Sequence, residues 1–426
     1  MPVVPATPKP AAREFLLSEL DDPKPIYAVW ELTTRCDQPC QHCGTRAGSA
    51  RVEELNTEQI KEVGRGLKKL GCREVTLIGG EAYLRNDVEE IISFLSDQGI
   101  RVTMQSGGRA LTLDRCRRFA AAGLQGLGVS IDGLEAEHDT LRGNKGSHAA
   151  ALRALKNAQD TGLIVTSNMQ INRLNMHTIQ ETSVLLRDHR VRAWQVQLTT
   201  PMGNAADHPD WILQPTDVVP VIDTLAAIQL DAVQNPRPWE KPRPLGCFNV
   251  QAANNIGYFG PHEEILRSRP GGSARHWIGC GAGRAVIGIE SDGTVKGCPS
   301  LPTAPYTGGN VKDLGLEQIW KHADALNFAR KDRSDELWGY CKRCYYADIC
   351  RAGCSFTAHT ILGKRGNNPL CYHRAVQLER EGIRERLVQV QQAEGERYDF
   401  GRFEIVEEGV PRASGAPAAP KPLDSP

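Results

Sequence analysis

The chain has 426 residues, 40% of them hydrophobic, enough to bury a large core and to divide into two domains. Its 51 lysines and arginines balance 51 acids with no long run of one sign, so net charge offers nothing to a nucleic acid or an anionic membrane. No apolar run approaches the roughly 18–20 residues of a spanning helix, and the proline-rich start MPVVPATPKPAAREF lacks the apolar centre of a secretory signal.

Residues 1–24 read as a flexible lead-in. From there, short apolar runs alternate with amphipathic stretches, the pattern of successive β–α units on a parallel sheet. Strands are expected at 26–32, 74–78, 100–105, 124–131, 163–170 and 193–198, with helices near 57–70, 87–98, 112–122, 147–161 and 175–188. Thr57, with Gln59 behind it and apolar residues at Ile60, Val63, Leu67 and Leu70, marks the first helix start. Six such units make a partial (β/α)6 barrel of the α/β class, in which ligand-binding residues gather at the C-terminal ends of the strands. Prolines then crowd 201–246; a helix at 216–228 closes the barrel, and WEKPRPLG reads as a linker. The domain expectation is 25–235 for the barrel, 236–375 for linker and cysteine-rich domain, 376–410 for a charged helical segment and 411–426 for a disordered tail.

Thirteen cysteines without an export signal point to a reducing compartment, the cytoplasm, and to metal ligation in place of disulfides. Cys36, Cys40 and Cys43 crowd the loop after the first strand. Thiolates are soft ligands suited to iron–sulfur or zinc. A [4Fe–4S] cube is normally tied by four thiolates; three leave one iron open to a small molecule. A zinc site needs a fourth ligand, and His42, wedged between Gln41 and Cys43, is awkwardly placed for it. At the second strand's end, Gly79 and Gly80 allow close backbone approach, and Glu81 accepts hydrogen bonds from an ammonium. Cys72 and Cys116, away from these motifs, read as small buried side chains.

The CxxxCxxC spacing directly after a first strand, followed by a strand-end GGE, resembles the radical S-adenosylmethionine (SAM) enzymes. The resemblance implies that the cysteine loop holds a [4Fe–4S] cluster whose open iron binds SAM. Cleavage of its sulfonium then releases a 5′-deoxyadenosyl radical. It further implies that Gly79, Gly80 and Glu81 hold the amino group of SAM and that Ser106 adds a polar contact. Val129–Gly133 and His138–Gly143 resemble the SIDG and HDxxRG stretches of peptide-modifying members. By that likeness Ser130 and Asp132 line the cavity and Arg142 faces the SAM carboxylate. Asp132 is the catalytic candidate, with a turn or helix cap as the alternative. Gln170 and Asn172 fall to the ribose and Gln197 to the edge of the adenosine.

Farther on, Cys280, Gly293 and Cys298, then Cys341, Cys344, Cys350, Cys354 and Cys371, resemble the SPASM domain over about 247–375. A hairpin is expected here, with 285–290 and 294–296 flanking Ser291-Asp292-Gly293. The resemblance implies two auxiliary iron–sulfur clusters. Cys341, Cys344, Cys350 and Cys371 would hold the distal one; Cys280, Cys298 and Cys354 would hold the proximal one. Its fourth ligand is either Cys247 or an open iron for substrate. A zinc ribbon formed by Cys341/Cys344 and Cys350/Cys354 is the local alternative. The implied activity is hydrogen abstraction from a ribosomally made precursor peptide or protein. The implied partners are an external reductant such as flavodoxin or ferredoxin and a separate peptide-recognition protein. A small-molecule radical dehydrogenase and a non-catalytic electron carrier or zinc scaffold are the rival readings.

Overall fold

The computed structural model describes Arg13, Glu19 and residues 22–410, apart from 243, 245, 254, 257, 259 and 278. The expected tail at 411–426, most of the lead-in and Phe259 therefore lie outside the described residues.

Six parallel strands follow one another as expected: β1 Tyr27–Glu31, β2 Glu74–Ile78, β3 Arg101–Ser106, β4 Gly126–Ser130, β5 Ile164–Ile171 and β6 Ala193–Leu198. A parallel strand covered on both faces reads as an unbroken apolar run. β5 departs from that: Val165, Ser167, Met169 and Ile171 are buried, while Thr166, Asn168 and Gln170 are only half-buried. One face of the sheet thus packs on helices and the other lines a polar lumen.

The covering helices are α1 Thr57–Lys69, α2 Val88–Asp97, α3 Leu113–Ala121, α4 Glu135–Arg142, α5 Ser147–Gln159, α6 Ile179–Asp188 and α7 Val218–Gln234. α1 starts on a capping box one residue earlier than the sequence signal: Asn56 Oδ1 accepts from Gln59 N, and Gln59 Oε1 accepts from Asn56 N, both at 3.0 Å. Its buried stripe is Ile60, Val63, Gly64 and Leu67. Cys72 and Cys116 are 3% and 0% exposed within the core.

Four more strands extend this sheet at its two edges. β7 Asn249–Ala252 pairs parallel with β6, and β8 Val286–Ile289 pairs parallel with β1. The expected hairpin continues antiparallel through β9 Thr294–Lys296 to β10 Thr307–Asn310. The result is one ten-stranded sheet in the order β10-β9-β8-β1-β2-β3-β4-β5-β6-β7. The cysteine-rich region is therefore joined to the barrel edge by main-chain hydrogen bonds.

The segment expected to be helical over 376–410 is mostly a β-hairpin. A short helix, Tyr372–Arg380, gives way to β11 Ile383–Gln391 and β12 Arg402–Gly409, paired antiparallel. The charges of IRERLVQVQ mask an alternation in which Glu385 and Leu387 point inward, each 4% exposed. Arg374 holds Glu385 in that inward position by two hydrogen bonds of 2.6 Å.

Candidate active site

The cysteine loop leaves β1 at the C-terminal end of the barrel and is clamped by glycines. A Cβ at Gly80 would stand 2.8 Å from Cys36 Cβ and closer still to Arg35 O; at Gly107 it would lie 2.6 Å from Gln38 Oε1; at Gly143, 2.5 Å from Pro39 O; at Gly203, 2.5 Å from Gly44 O. A Cβ at Gly79 would press on Thr33 O. The Gly79-Gly80 pair therefore admits the loop's own backbone. Further bonds hold it from outside: Gln41 N to Leu141 O at 2.8 Å, Asn204 N to Cys43 O at 2.9 Å and Asn204 Nδ2 to Cys40 O at 2.8 Å.

Donors converge on the sulfurs. Gln38 N points to Cys36 Sγ and Ala47 N to Cys43 Sγ, each at 3.4 Å, and Arg142 Nη1 to Cys40 Sγ at 3.6 Å. Burial pushes the Cys36 thiol up to about 12 and the Cys40 thiol up to about 11, so ionised sulfur here calls for a positive ligand. Among the described residues no three His, Cys, Asp or Glu side chains converge on a single ion.

Beside the loop, Glu81 is 3% exposed and accepts from Ser106 Oγ at 2.7 Å and Gly107 N at 2.6 Å. Burial pushes its carboxyl up to about 7, against the lowering effect of the Ser106 and Gly107 hydrogen bonds. An ammonium is the partner this carboxylate lacks. Arg142 Nε and Gln38 Nε2 are buried donors without a partner, a match for an α-carboxylate. The residues present thus fit the amino-acid end of SAM.

Asp132 is 1% exposed, and both of its oxygens are engaged. Oδ2 pairs with Arg142 and with His42 Nε2 at 3.4 Å; Oδ1 accepts from Gln170 N at 2.9 Å. Burial works to raise its pKa, but Arg142 and His42 outweigh it and hold the carboxyl well below the usual range. Ser130 and the side chains of Gln170 and Gln197 are half-buried at strand ends. Asn172 is fully buried in a turn instead: its Nδ2 donates to Thr199 Oγ1 at 3.3 Å and its Oδ1 accepts from Leu174 N at 3.0 Å. Asn172 is not brought to the ligand face.

The connection between β11 and β12 also reaches this site, which the sequence did not reveal. Asp399 Oδ1 accepts from Arg46 Nε at 3.0 Å, and Asp399 O accepts from Gly203 N at 2.9 Å. Tyr398 OH donates to Glu31, and Arg46 also binds Asp207. No local pattern announces bonds between residues so distant in the chain.

In the cysteine-rich region, Cys341, Cys344, Cys350 and Cys371 line one small cavity together with Arg374. Asn368 N points to Cys341 Sγ at 3.5 Å. Cys280, Cys298 and Cys354 are electrostatic neighbours: burial, then Cys280 and Cys354, pushes the Cys298 thiol up to about 12. Cys247 is 3% exposed in the loop entering β7 and does not line the distal cavity. Cys298 lies close enough to Tyr27, the first residue of β1, to affect its ionisation. A cavity of about 390 Å³ opens on the barrel lumen, lined by Thr103, Gln105, Asn168, Gln195 and Gln251 among others.

A partial barrel with three cysteines at its C-terminal rim, joined along its edge to a cysteine-rich domain, is the arrangement expected of an iron–sulfur radical enzyme. Residues 30–186 match the model of the Radical SAM superfamily, and residues 280–345 match that of the SPASM iron–sulfur cluster-binding domain. An AdoMet-dependent heme synthase of Nitratidesulfovibrio vulgaris is 26% identical over 83% of this chain and 95% of its own length. Mycofactocin maturase MftC of Mycolicibacterium smegmatis is 27% identical over 82% of each chain. Native anSMEcpe with bound AdoMet shares the fold with a TM-score of 0.63 at 14% identity, covering 82% of this chain and 95% of that one. Streptococcus suis SuiB bound to S-adenosylmethionine does so with a TM-score of 0.62 at 15% identity, covering 83% and 78%. The chain carries a radical SAM domain and a SPASM domain, and is an enzyme whose cofactors are SAM, its [4Fe–4S] cluster and the iron–sulfur centres of the second domain.

Proposed function

We propose that this enzyme abstracts hydrogen from a ribosomally synthesised peptide or protein held in the barrel lumen and leaves it oxidised or crosslinked. The observation that supports the reading is the buried Glu81 carboxylate beside the cysteine loop, with the partnerless donors Arg142 Nε and Gln38 Nε2, above a polar cavity in the barrel lumen. When bound, the clusters supply the electron that cleaves SAM and take up the electron that the oxidised substrate gives back.

The chain's own residues orient and enclose. In this reading Cys36, Cys40 and Cys43 hold the SAM-binding cluster, Glu81 takes the ammonium of SAM with Ser106 behind it, and Arg142 takes the carboxylate. Asp132 fixes the guanidinium of Arg142 and the ring of His42, which makes it a positioning residue. Ser130, Gln170 and Gln197 border the adenosine. Cys341, Cys344, Cys350 and Cys371 hold the distal auxiliary cluster; Cys280, Cys298 and Cys354 hold the proximal one, with Cys247 as the fourth thiolate. Flavodoxin or ferredoxin delivers the electron, a separate protein presents the peptide, and the cytoplasm keeps the thiols reduced.

MftC is named a maturase, and SuiB has been solved bound to its precursor peptide SuiA, which supports the peptide reading. The heme synthase likeness at similar identity favours a second reading, a tetrapyrrole or other small metabolite. Incubation of the anaerobically reconstituted enzyme with candidate peptides tests the first: the product is expected to be two hydrogens lighter. Unchanged peptide mass beside a metabolite that loses two hydrogens would overturn it.

A further inference from the structure

The lumen cavity carries an unequal charge. Arg13, Arg101, Arg267, Arg269 and Arg275 line it against a single acid, Glu74. Two of these cations are matched: Arg13 Nη2 lies 2.6 Å from Glu74 Oε1, and Arg267 Nε lies 2.9 Å from Glu263 Oε1. Arg101 reaches Glu74 only at 3.8 Å, beyond hydrogen-bond range. Its buried Nε donates no hydrogen bond and faces Glu74 only across that distance, while its side chain stays 38% exposed. Arg269 is exposed on the loop after α8, Glu263–Arg267. The wall around them mixes amides such as Gln105, Asn168 and Gln195 with apolar Leu127, Val250 and Leu266.

We infer that Arg101 and Arg269 bind a carboxylate of the substrate at the foot of the lumen, far from the C–H bond that is attacked. This rests on the proposal that the substrate enters the lumen. A planar guanidinium matches a carboxylate in two parallel hydrogen bonds, and a partly enclosed cleft strengthens the pair. A carboxylate is also the anion that every peptide carries at its C-terminus.

Geometry sets the reach. Arg101 opens β3 and Ser106, which holds Glu81, ends it. At ~3.3 Å per residue that strand separates the anchor from the SAM end by roughly 16 Å. An extended peptide advances about 3.3–3.6 Å per residue, so the attacked residue lies on the order of four or five positions from the anchored carboxylate.

The test uses the full chain, reconstituted anaerobically with SAM present. One pair of probes is a fluorescein-labelled, mixed-sequence octapeptide pool free of Asp and Glu, made as the C-terminal acid and as the amide. A second pair is a tetracarboxylate porphyrin and its tetraester. The acid pool is expected to bind at least tenfold more tightly than the amide pool in fluorescence anisotropy, and Arg101→Gln to erase the difference. Glu74 keeps Arg13 in that variant; should the variant misfold, the acid–amide comparison on the unaltered protein still decides. Preference for the tetraacid over its ester, with no peptide binding, would uphold the carboxylate site and overturn the peptide reading. Equal binding of both acids and their neutral forms would overturn the carboxylate site, while 5′-deoxyadenosine from the same preparation reports on the radical chemistry separately.

Discussion

Replacing Gly80 by alanine tests whether strand-end glycines set the position of the cysteine loop. The new Cβ would stand 2.8 Å from Cys36 Cβ and closer to Arg35 O, where ordinary contact begins at 3.4 Å. Backbone blocks it on one side, so the loop must retreat by roughly 1 Å, a displacement of the size that costs on the order of 100-fold in rate when reacting groups are misplaced. The overpacking itself costs about 1–3 kcal/mol of stability. Gly44→Ala, in the same loop, is the control, because its Cβ would meet nothing within 4 Å. Both variants are reconstituted anaerobically; iron per chain, urea unfolding and 5′-deoxyadenosine are measured. Gly80→Ala is expected to lose nearly all 5′-deoxyadenosine and part of its iron, while Gly44→Ala stays within about twofold of the unaltered protein. Equal behaviour of the two would refute the reasoning.

Asp399→Ala removes the hairpin's ion pair with Arg46 at a cost of about 1–3 kcal/mol, and hydrogen exchange in 43–47 and 203–207 is expected to quicken. Glu81 gives a pH signature in cofactor-free protein. A carboxyl raised by burial to about 7 contributes stability that is present below its ordinary value of 4.5 and lost as pH rises through 7. Urea midpoints measured across that window are therefore expected to fall less steeply in Glu81→Gln; an unchanged slope would contradict the assignment. Cys350→Ala and Cys354→Ala are expected to remove iron from different auxiliary sites, with distinct losses in the Mössbauer spectrum. Identical losses would show that the two cysteines serve one site.

The fold was legible wherever a local pattern carried it. Six strands announced themselves by short apolar runs alternating with amphipathic stretches, and the hairpin turn by Asp292-Gly293, where Gly293 has φ +94°. β7 escaped notice because a strand of four residues holds too little periodicity and only pairing with β6 makes it one; β8 was expected as a hairpin arm, but its pairing with β1 was not. β11 was hidden by its charges: Glu385 looks like a surface residue until Arg374 is seen to hold it inside. In the site, the cysteines and Glu81 were readable because their spacing is local. The pairing of Asp132 with Arg142 and His42 was not, nor were Asn204, Arg46 and Asp399, because their contacts join segments far apart in sequence.

The central claim is that three thiolates from one loop leave an iron open to SAM and that the radical begins there. The direct measurement is 5′-deoxyadenosine produced by anaerobically reconstituted, dithionite-reduced protein with SAM, compared with the Cys36, Cys40 and Cys43 triple alanine variant. The account predicts product from the unaltered chain and none from the variant, whose auxiliary iron persists. Product formed at equal rate by both, or by neither while SAM stays intact, would contradict it.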